Sequence, residues 1–599
     1  MTRKHPTPHR RRLAVASVTA AVAALPALAA PAQTSQDAAA RCAQLQGQTV
    51  PAAHIGLPTR DAVVTQATFT PARGAGVAAV GDTCTVEGDI RPLDRKAPPI
   101  RFQLSLPQPW NGKAVMFGGG GYNGTTAVGG TSSMTSGGQT VVLSGNVPAG
   151  PVDHPTPLGR GYATFGSDSG HQSLRPVAGA SRDGSFAANE EARRNFAGDA
   201  IKKTRDTAAY LMQRHYGRPV QRTYFAGGST GGREALLAIG RWPQDFDGAI
   251  ALYPAWNAAV LNLHFGRMTR ALAGKDAFPG LPQRQALYRA ALQACDALDG
   301  VADGLISHQA ACDAAFDPDT ATLDGQPLRC ADGTRGDHCL TPAQIAAFKV
   351  LNSATVPAFA LPSGEKGYPG LTTWGTDFGF AAPDKDKGQS PVLTLGLGTL
   401  APAAPMPGVS LLSLTAVADS PPYGSTFWDQ WVRYFVTDDT TYDPLALDPE
   451  RPGPWERRIV ELIELQDANR SDFSAFRARG GKLLLAHGVH DALVSNRATQ
   501  QFVARVRRTM GDAATADFLR YYEIPGYGHS VSDQFSAAWD SLTALEQWVE
   551  QGVAPGPQVV MDTKAVPGRT RPLCEWPSWP RYAGDGDVNQ AASFTCATR

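Results

Sequence analysis

A chain of 599 residues, 42% hydrophobic and 18% charged, is several times longer than a minimal domain and can bury a large core. Lys+Arg 55 nearly cancel Asp+Glu 54, so no basic surplus exists to neutralise phosphates, which argues against nucleic acid as a partner. Gly 62 and Pro 46 speak for many ordered loops rather than a helical bundle.

The chain opens with an export leader, expected over residues 1–32. Arg10, Arg11 and Arg12 form a basic start, an apolar alanine-rich run follows from Leu13 to Leu28, and Ala30-Pro31-Ala32 supplies a small-residue cleavage pattern within 29–33. The arginine pair before the apolar run also permits the twin-arginine route. The run is too short to span a membrane comfortably, and no later stretch approaches that length. A secreted or periplasmic protein is expected. Its eight cysteines agree, since an even count in an exported chain reads as disulfides, and the absence of a CxxC pair argues against zinc or thiol redox chemistry. They fall in three neighbourhoods, which suggests the local pairs Cys42–Cys84, Cys295–Cys312, Cys330–Cys339 and Cys574–Cys596. Sequence alone leaves that pairing open.

Three later units share one grammar: "KAVMF" runs into "GGGGYNG", "RTYFA" into "GGSTGG", and "KLLLAHG" into "VHDAL". Short apolar runs that end in glycine-rich turns are the mark of parallel strands delivering loops to one edge of an α/β sheet. A long helical pattern is expected over 187–216, before Gly217 and Pro219, and a second helix in "GREALLAIGRW". From 258 to 445 the grammar changes to scattered aromatics and Pro/Gly/Ser-rich pieces, which predicts an inserted domain of mostly irregular structure. The sheet grammar then resumes through "FLRYYEIPG" and the helix "SAAWDSLTALEQWVEQG". Residues 33–257 and 446–599 together make the catalytic domain on this reading.

Gly227-x-Ser229-x-Gly231 fits the turn that presents a nucleophilic serine between a strand and a helix. Glycines flank such a serine because the backbone is strained and neighbouring elements crowd it. A phosphate-binding loop is the rival, but no Gly-Lys-Ser/Thr follows. A serine hydrolase of this kind needs an acid and then a histidine downstream. Asp491 lies just past a strand end and His529 on a loop after the next strand, so Ser229, Asp491 and His529 are the expected triad. His487 and His490 stand before or beside the acid and are read as shaping its loop, while His171 precedes the serine and breaks the order. The oxyanion hole is assigned to the amides of Thr230, next to the nucleophile, and Gly121 in the earlier glycine loop.

"CDALDGVADGL" sets Asp296, Asp299 and Asp303 around two glycines. Three carboxylates on one tight loop repel each other unless a hard cation joins them, although the spacing is not that of an EF-hand and an empty Asp/Gly turn is an alternative.

These segments, with "CTVEGDI", "WNGKAVMFGGGGYNG", "PGYGHS" and "RTRPLCEWPSWPRYAGDGD", resemble the tannase/feruloyl esterase family across nearly the whole mature chain. The resemblance implies an α/β-hydrolase fold with a large lid at 258–445 and the same triad and oxyanion donors. It also implies a structural calcium held by Asp296, Asp299 and Asp303 with the carbonyls of Val301 and Leu305. One departure stands out. Family members commonly carry bridged cysteines just before the nucleophile and just after the histidine, where this chain has Gly228 and Ser530.

The expected activity is hydrolysis of esters of aromatic acids through an acyl-enzyme. Feruloyl or hydroxybenzoyl esters, galloyl esters and terephthalate monoesters are the candidate substrates. A calcium-stabilised exported binding protein without activity is the alternative of another class. Between Gly336 and Val432 there is no arginine to pair with a substrate carboxylate, and Lys385 and Lys387 stand among aspartates. That stretch offers Trp374, Phe378, Phe380, Leu411, Leu412, Phe427, Trp428 and Trp431 instead, which favours a neutral aromatic ring.

Overall fold

The computed structural model describes residues 1–2, 35–128, 133–136, 139–142, 154–173, 182–383, 389–403 and 420–598. Apart from its first two residues the expected leader lies outside these, as do Lys385, Lys387, Leu411 and Leu412.

One ten-stranded mixed sheet organises the chain. We number its strands β1 (Thr49–Val50), β2 (Ala62–Thr70), β3 (Asp82–Ile90), β4 (Ile100–Gln108), β5 (Lys113–Phe117), β6 (Ala163–Ser167), β7 (Arg222–Gly228), β8 (Gly248–Leu252), β9 (Lys482–Gly488) and β10 (Leu519–Ile524). Their order is β1-β2-β3-β4-β6-β5-β7-β8-β9-β10. The first four are antiparallel neighbours, β4 meets β6 antiparallel, and every pair from β6 onward is parallel. The parallel half therefore ends all its strands at one edge, and β7, which leads into Ser229, sits between β5 and β8.

The apolar runs follow from burial on both faces. Phe225, Ala249, Ala251, Leu483 and Leu485 face one layer with Leu211, Leu236 and Phe502. Tyr224, Ala226, Ile250, Leu484 and Ala486 face the other with Leu545 and Trp548. Adjacent residues of one strand thus enter opposite cores, as the two-residue period of a strand requires.

The expected helix over 187–216 is interrupted. Glu190–Arg194 is helical, the backbone widens over Asn195–Asp199, and the regular helix runs Ala200–Tyr216. Gly198 makes the break, at φ 131°, where a residue with a side chain rarely sits. The last helix, Ser541–Gln551, starts later than expected because Ala537–Ala538 pairs as a short strand with Met561 and Asp562.

Residues 258–445 contain more helix than their composition suggests, including Ala258–Leu272, Leu281–Cys295, Pro342–Asn352 and Tyr423–Gln430. These helices share a core with Leu371, Trp374, Trp428 and Trp431, and that core extends to Tyr122, Phe196 and Leu493 from outside the segment. All eight cysteines are paired as the neighbourhoods suggest: Cys42–Cys84, Cys295–Cys312, Cys330–Cys339 and Cys574–Cys596. No helix among the described residues is long and apolar enough to cross a membrane.

Candidate active site

Ser229 stands between β7 and the helix Thr230–Arg241 with φ 59° and ψ −121°. Such a backbone costs of order 1–3 kcal/mol and persists only where the surroundings over-determine it. Here the Ser229 amide donates to the Leu252 carbonyl at 3.0 Å, and the Ser229 carbonyl accepts from the amides of Ala255 at 3.0 Å and Arg233 at 3.1 Å. The glycine loop after β5 closes over this turn, and the Gly231 amide donates to the Gly119 carbonyl at 2.8 Å. A Cβ at Gly231 would stand 2.8 Å from the Gly118 carbonyl carbon, so no side chain fits between the two loops.

The loops after β9 and β10 bring the other two residues to the serine. His529 Nε2 lies 3.0 Å from Ser229 Oγ, and His529 Nδ1 lies 2.7 Å from Asp491 Oδ2. A carboxylate facing Nδ1 places the ring proton there, which leaves Nε2 to accept from the serine hydroxyl. All three residues are buried.

Asp491 is fully committed. Its Oδ1 accepts from the amides of Leu493 and Val494, both at 2.8 Å, and its Oδ2 also meets His487 Nε2 at 3.2 Å. Burial pushes this carboxyl up, but the charge of His529 and the bonds from His487 and His529 outweigh it and hold Asp491 far below the usual carboxylate range. His487 Nε2 faces a second acceptor, the Val494 carbonyl at 3.0 Å, while its Nδ1 lies 2.9 Å from Thr499 Oγ1. Two acceptors on Nε2 put the proton there, with Nδ1 accepting from the threonine.

Thr230 Oγ1 donates to the Gly121 carbonyl at 2.6 Å, which brings the two residues side by side. As the first residue of its helix, Thr230 has an amide with no intrahelical acceptor, at the positive end of the helix dipole. Glu234 was not singled out by sequence. Its buried carboxylate accepts from Asn123 Nδ2 at 2.6 Å and from the Gly119 amide at 3.2 Å, tying the helix to the glycine loop. The signal for it was present: Arg233-Glu234 is a charged pair inside an otherwise apolar helix.

The remaining histidines do other work. His490 Nδ1 accepts from the Gly526 amide at 3.1 Å, and its Nε2 lies 3.1 Å from Gln309 Oε1. His171 stacks on Phe186 at 3.7 Å, and burial lowers its pKa to about 3. It belongs to an aromatic group around Tyr122, whose ring lies 4.6 Å from Phe427, 5.4 Å from Phe435 and 6.1 Å from Phe186. Of the apolar residues that sequence offered from the inserted segment, Phe427 reaches this group. Trp374 packs on Phe316, Phe378 on Phe348, Phe380 on Tyr288, and Trp428 on Trp431. Arg433 is paired with Asp429 at 2.8 Å.

In the acidic turn, Asp296 accepts from the amides of Asp303 and Gly304, Asp299 from those of Val301 and Ser307, and Asp303 from that of Leu305. Asp303 also pairs with the buried Arg571. Burial, aided by the charge of Asp303, pushes Asp299 up to about 6, and Asp296 is raised as well. Among the described residues no three His, Cys, Asp or Glu side chains stand in ligand-like convergence. The donor chemistry nonetheless fits a hard divalent cation: three carboxylates meet one arginine, and all the donors are oxygens.

A glycine-flanked serine at the end of a central parallel strand, with an aspartate and a histidine brought to it by the loops after β9 and β10, is the arrangement of a serine hydrolase. The chain belongs to the tannase and feruloyl esterase family, whose pattern matches residues 84–597. It is 36% identical to the uncharacterized esterase Atu5261 of Agrobacterium fabrum, over 94% of both chains. It is 30% identical to the mono(2-hydroxyethyl) terephthalate hydrolase of Piscinibacter sakaiensis, covering 87% of this chain and 86% of that one. The fold is shared with feruloyl esterase B of Aspergillus oryzae, with a TM-score of 0.66 at 22% identity over 93% of this chain and 100% of that one.

Proposed function

We propose that the protein is an exported serine esterase acting on esters of aromatic carboxylic acids. The observation that carries this reading is the buried relay Ser229–His529–Asp491, with separations of 3.0 and 2.7 Å, at the centre of the sheet edge. Ser229 Oγ attacks the ester carbonyl carbon as His529 Nε2 takes the hydroxyl proton. The amides of Thr230 and Gly121 hold the developing oxyanion. Asp491 orients the ring and stabilises its positive charge. His529 returns the proton to the departing alkoxide, which leaves as the alcohol. Water, deprotonated by His529, then attacks the acyl-enzyme and releases the acid.

Residues 258–445 act as the lid on this reading, supported by the bond from the Tyr122 hydroxyl to the Phe427 carbonyl at 3.3 Å, beside Gly121. Phe427, a partly exposed ring of the group around Tyr122, would meet an acyl group such as feruloyl or hydroxybenzoyl. Asp296, Asp299 and Asp303, with the carbonyls of Val301 and Leu305, would hold a structural calcium, which supplies charge balance rather than chemistry. Four disulfides suit an oxidising compartment.

A second reading, an acid bearing its own carboxylate as in a terephthalate monoester, is favoured by one observation. Arg182 is buried with Nε and Nη1 unpartnered, over the Tyr423 ring at 4.9 Å. The experiment that tests the main reading is labelling with a fluorophosphonate probe, followed by a panel of aromatic esters. Labelling at Ser229 with turnover of neutral aromatic esters is expected. A folded protein that takes up no probe is a binding protein, not this enzyme.

A further inference from the structure

Tyr253 follows β8 directly and is not one of the reacting groups. Its φ is 33°, an unusual conformation for an aromatic residue, and its amide donates to the Ala486 carbonyl of β9 at 2.7 Å. The ring is 1% exposed. It packs against the strand end that leads into Ser229 and against His529 and its loop. A Cβ built on Gly228, next to Ser229, would lie 2.5 Å from the ring, where no real Cβ sits. The His529 ring stands against it edge-on, with centroids 4.9 Å apart and an interplanar angle of 61°. Tyr527 meets it at 6.2 Å, and His487, the second partner of Asp491, at 6.5 Å. The Tyr253 hydroxyl is hydrogen-bonded to Tyr527 in the same buried pocket.

One rigid ring thus lies between the Ser229 turn, the His529 loop and the end of β9, three segments that are far apart in sequence. Two of them carry no covalent tie to each other, since Gly228 and Ser530 flank Ser229 and His529. Both Tyr253 and Ser229 are held at positive φ, and their amides are fixed by neighbouring strands, Ser229 to Leu252 and Tyr253 to Ala486. The backbone that carries the ring is therefore fixed at the sheet edge. We propose that Tyr253 is a positioning residue of the proton relay, a wedge that keeps the His529 ring facing Ser229, and that glycine at 228 is the space that admits it. This rests on the serine-esterase reading, because a relay that moves no proton needs no positioning.

A double-mutant cycle between positions 228 and 253 tests it, read with a 4-nitrophenyl benzoate assay and fluorophosphonate labelling. Tyr253→Phe keeps the ring and should retain kcat within about threefold, whereas Tyr253→Leu, which fills volume without a flat ring, should lose about 30-fold in kcat with KM changed less than about threefold. Gly228→Ala should cost about tenfold in kcat with Tyr253 present and under about twofold in the Tyr253→Leu background, since the clash is with the ring. A merely structural tyrosine would lower the melting temperature of these variants without splitting kcat from KM. If the wild type takes up no probe at Ser229, the esterase reading fails and the positioning role falls with it. If the wild type is labelled but Tyr253→Leu is labelled equally fast, or Gly228→Ala costs the same in both backgrounds, the wedge alone is wrong. Should Tyr253→Leu fail to fold, Gly228→Ala against Gly228→Ala/Tyr253→Phe decides: the ring persists in both, so an equal loss supports the wedge and a full recovery overturns it.

Discussion

Asp491 and Asp299 of the acidic turn are both buried carboxyls, and their protonation is pushed in opposite directions. Asp491 has two histidines and two amides to itself, and its charge is held far below the usual range. The turn gathers three carboxylates around local amides and one arginine, and Asp299 rises to about 6. Burial raises a carboxyl in both places, so the difference lies in the number of donors and cations supplied by the protein. Where the chain balances the charge itself, the site is electrostatically complete. Where it does not, the carboxylates are left short of positive charge, and the proposed calcium would make up the difference.

The largest effects test the complete site. Ser229→Ala and His529→Ala should each lower kcat by about 10⁴-fold or more, and the double variant should lose little further, because nucleophile and base act as a unit. Near-normal turnover of Ser229→Ala in a folded protein would end the proposal. Asp491→Asn should lose about 10³–10⁴-fold, since an amide no longer enforces the proton on His529 Nδ1. His487→Gln, which removes the second partner and leaves the first, should lose only about tenfold in kcat. Equal losses in Asp491→Asn and His487→Gln would mean that the two histidines share one role.

The incomplete site should answer to metal rather than to substrate. Chelation should lower the melting temperature by at least about 3 °C while leaving kcat at 25 °C unchanged, and Asp299→Ala should reproduce the loss and abolish the response to added calcium. A protein shown to be metal-free that melts as before would make the turn self-sufficient and erase the contrast with Asp491.

Sequence exposed the complete site more readily than what supports it. Ser229, Asp491 and His529 each follow a short apolar run, and strand ends are visible in one dimension. The disulfide partners were legible because each pair lies close in sequence. Tyr253 and Glu234 were not, for a common reason. Their roles come from contacts such as Glu234 to Asn123 and Tyr253 to His529, which cross more than a hundred residues and use ordinary residue types. The break at Gly198 was hidden because apolar periodicity carries on through a residue whose φ is positive. The aromatic residues of the inserted segment misled in a different way. Most of them fill its own core, while Tyr122 and Phe435 do the packing near the glycine loop.

His171 extends the comparison to a buried basic group that the fold keeps neutral. An unfolded histidine takes up its proton near pH 6.5, and folded His171 does so only near 3. Above 6.5 both states are neutral and His171 costs nothing. As pH falls from 6.5 towards 3, the unfolded state gains a proton that the folded state refuses, which removes about 1.4 kcal/mol of stability per pH unit. His171→Phe keeps a flat ring over Phe186 and removes that loss. Its stability relative to the wild type should rise steadily between pH 6.5 and 4.5 in denaturant melts. A difference independent of pH would show that His171 is protonated, and hence paired, in the folded protein.

The smallest expected effect concerns the substrate's own charge. A carboxylate on the ring must be desolvated in the cleft, and it binds well only if the protein holds an unspent cation within reach. The Arg433 side chain is engaged by Asp429. Arg182 keeps unpartnered nitrogens, but its contact path to Tyr122 runs through the rings of Tyr423 and Phe427. The neutral ester should therefore exceed its para-carboxylate analogue by about tenfold in kcat/KM, the loss expected for one missing charged contact. Arg182→Met should leave that ratio unchanged. If the carboxylate ester is turned over equally well, and Arg182→Met abolishes its turnover alone, the guanidinium reaches the ring after all. Arg182 would then be a second incomplete site, one whose outside partner is the substrate.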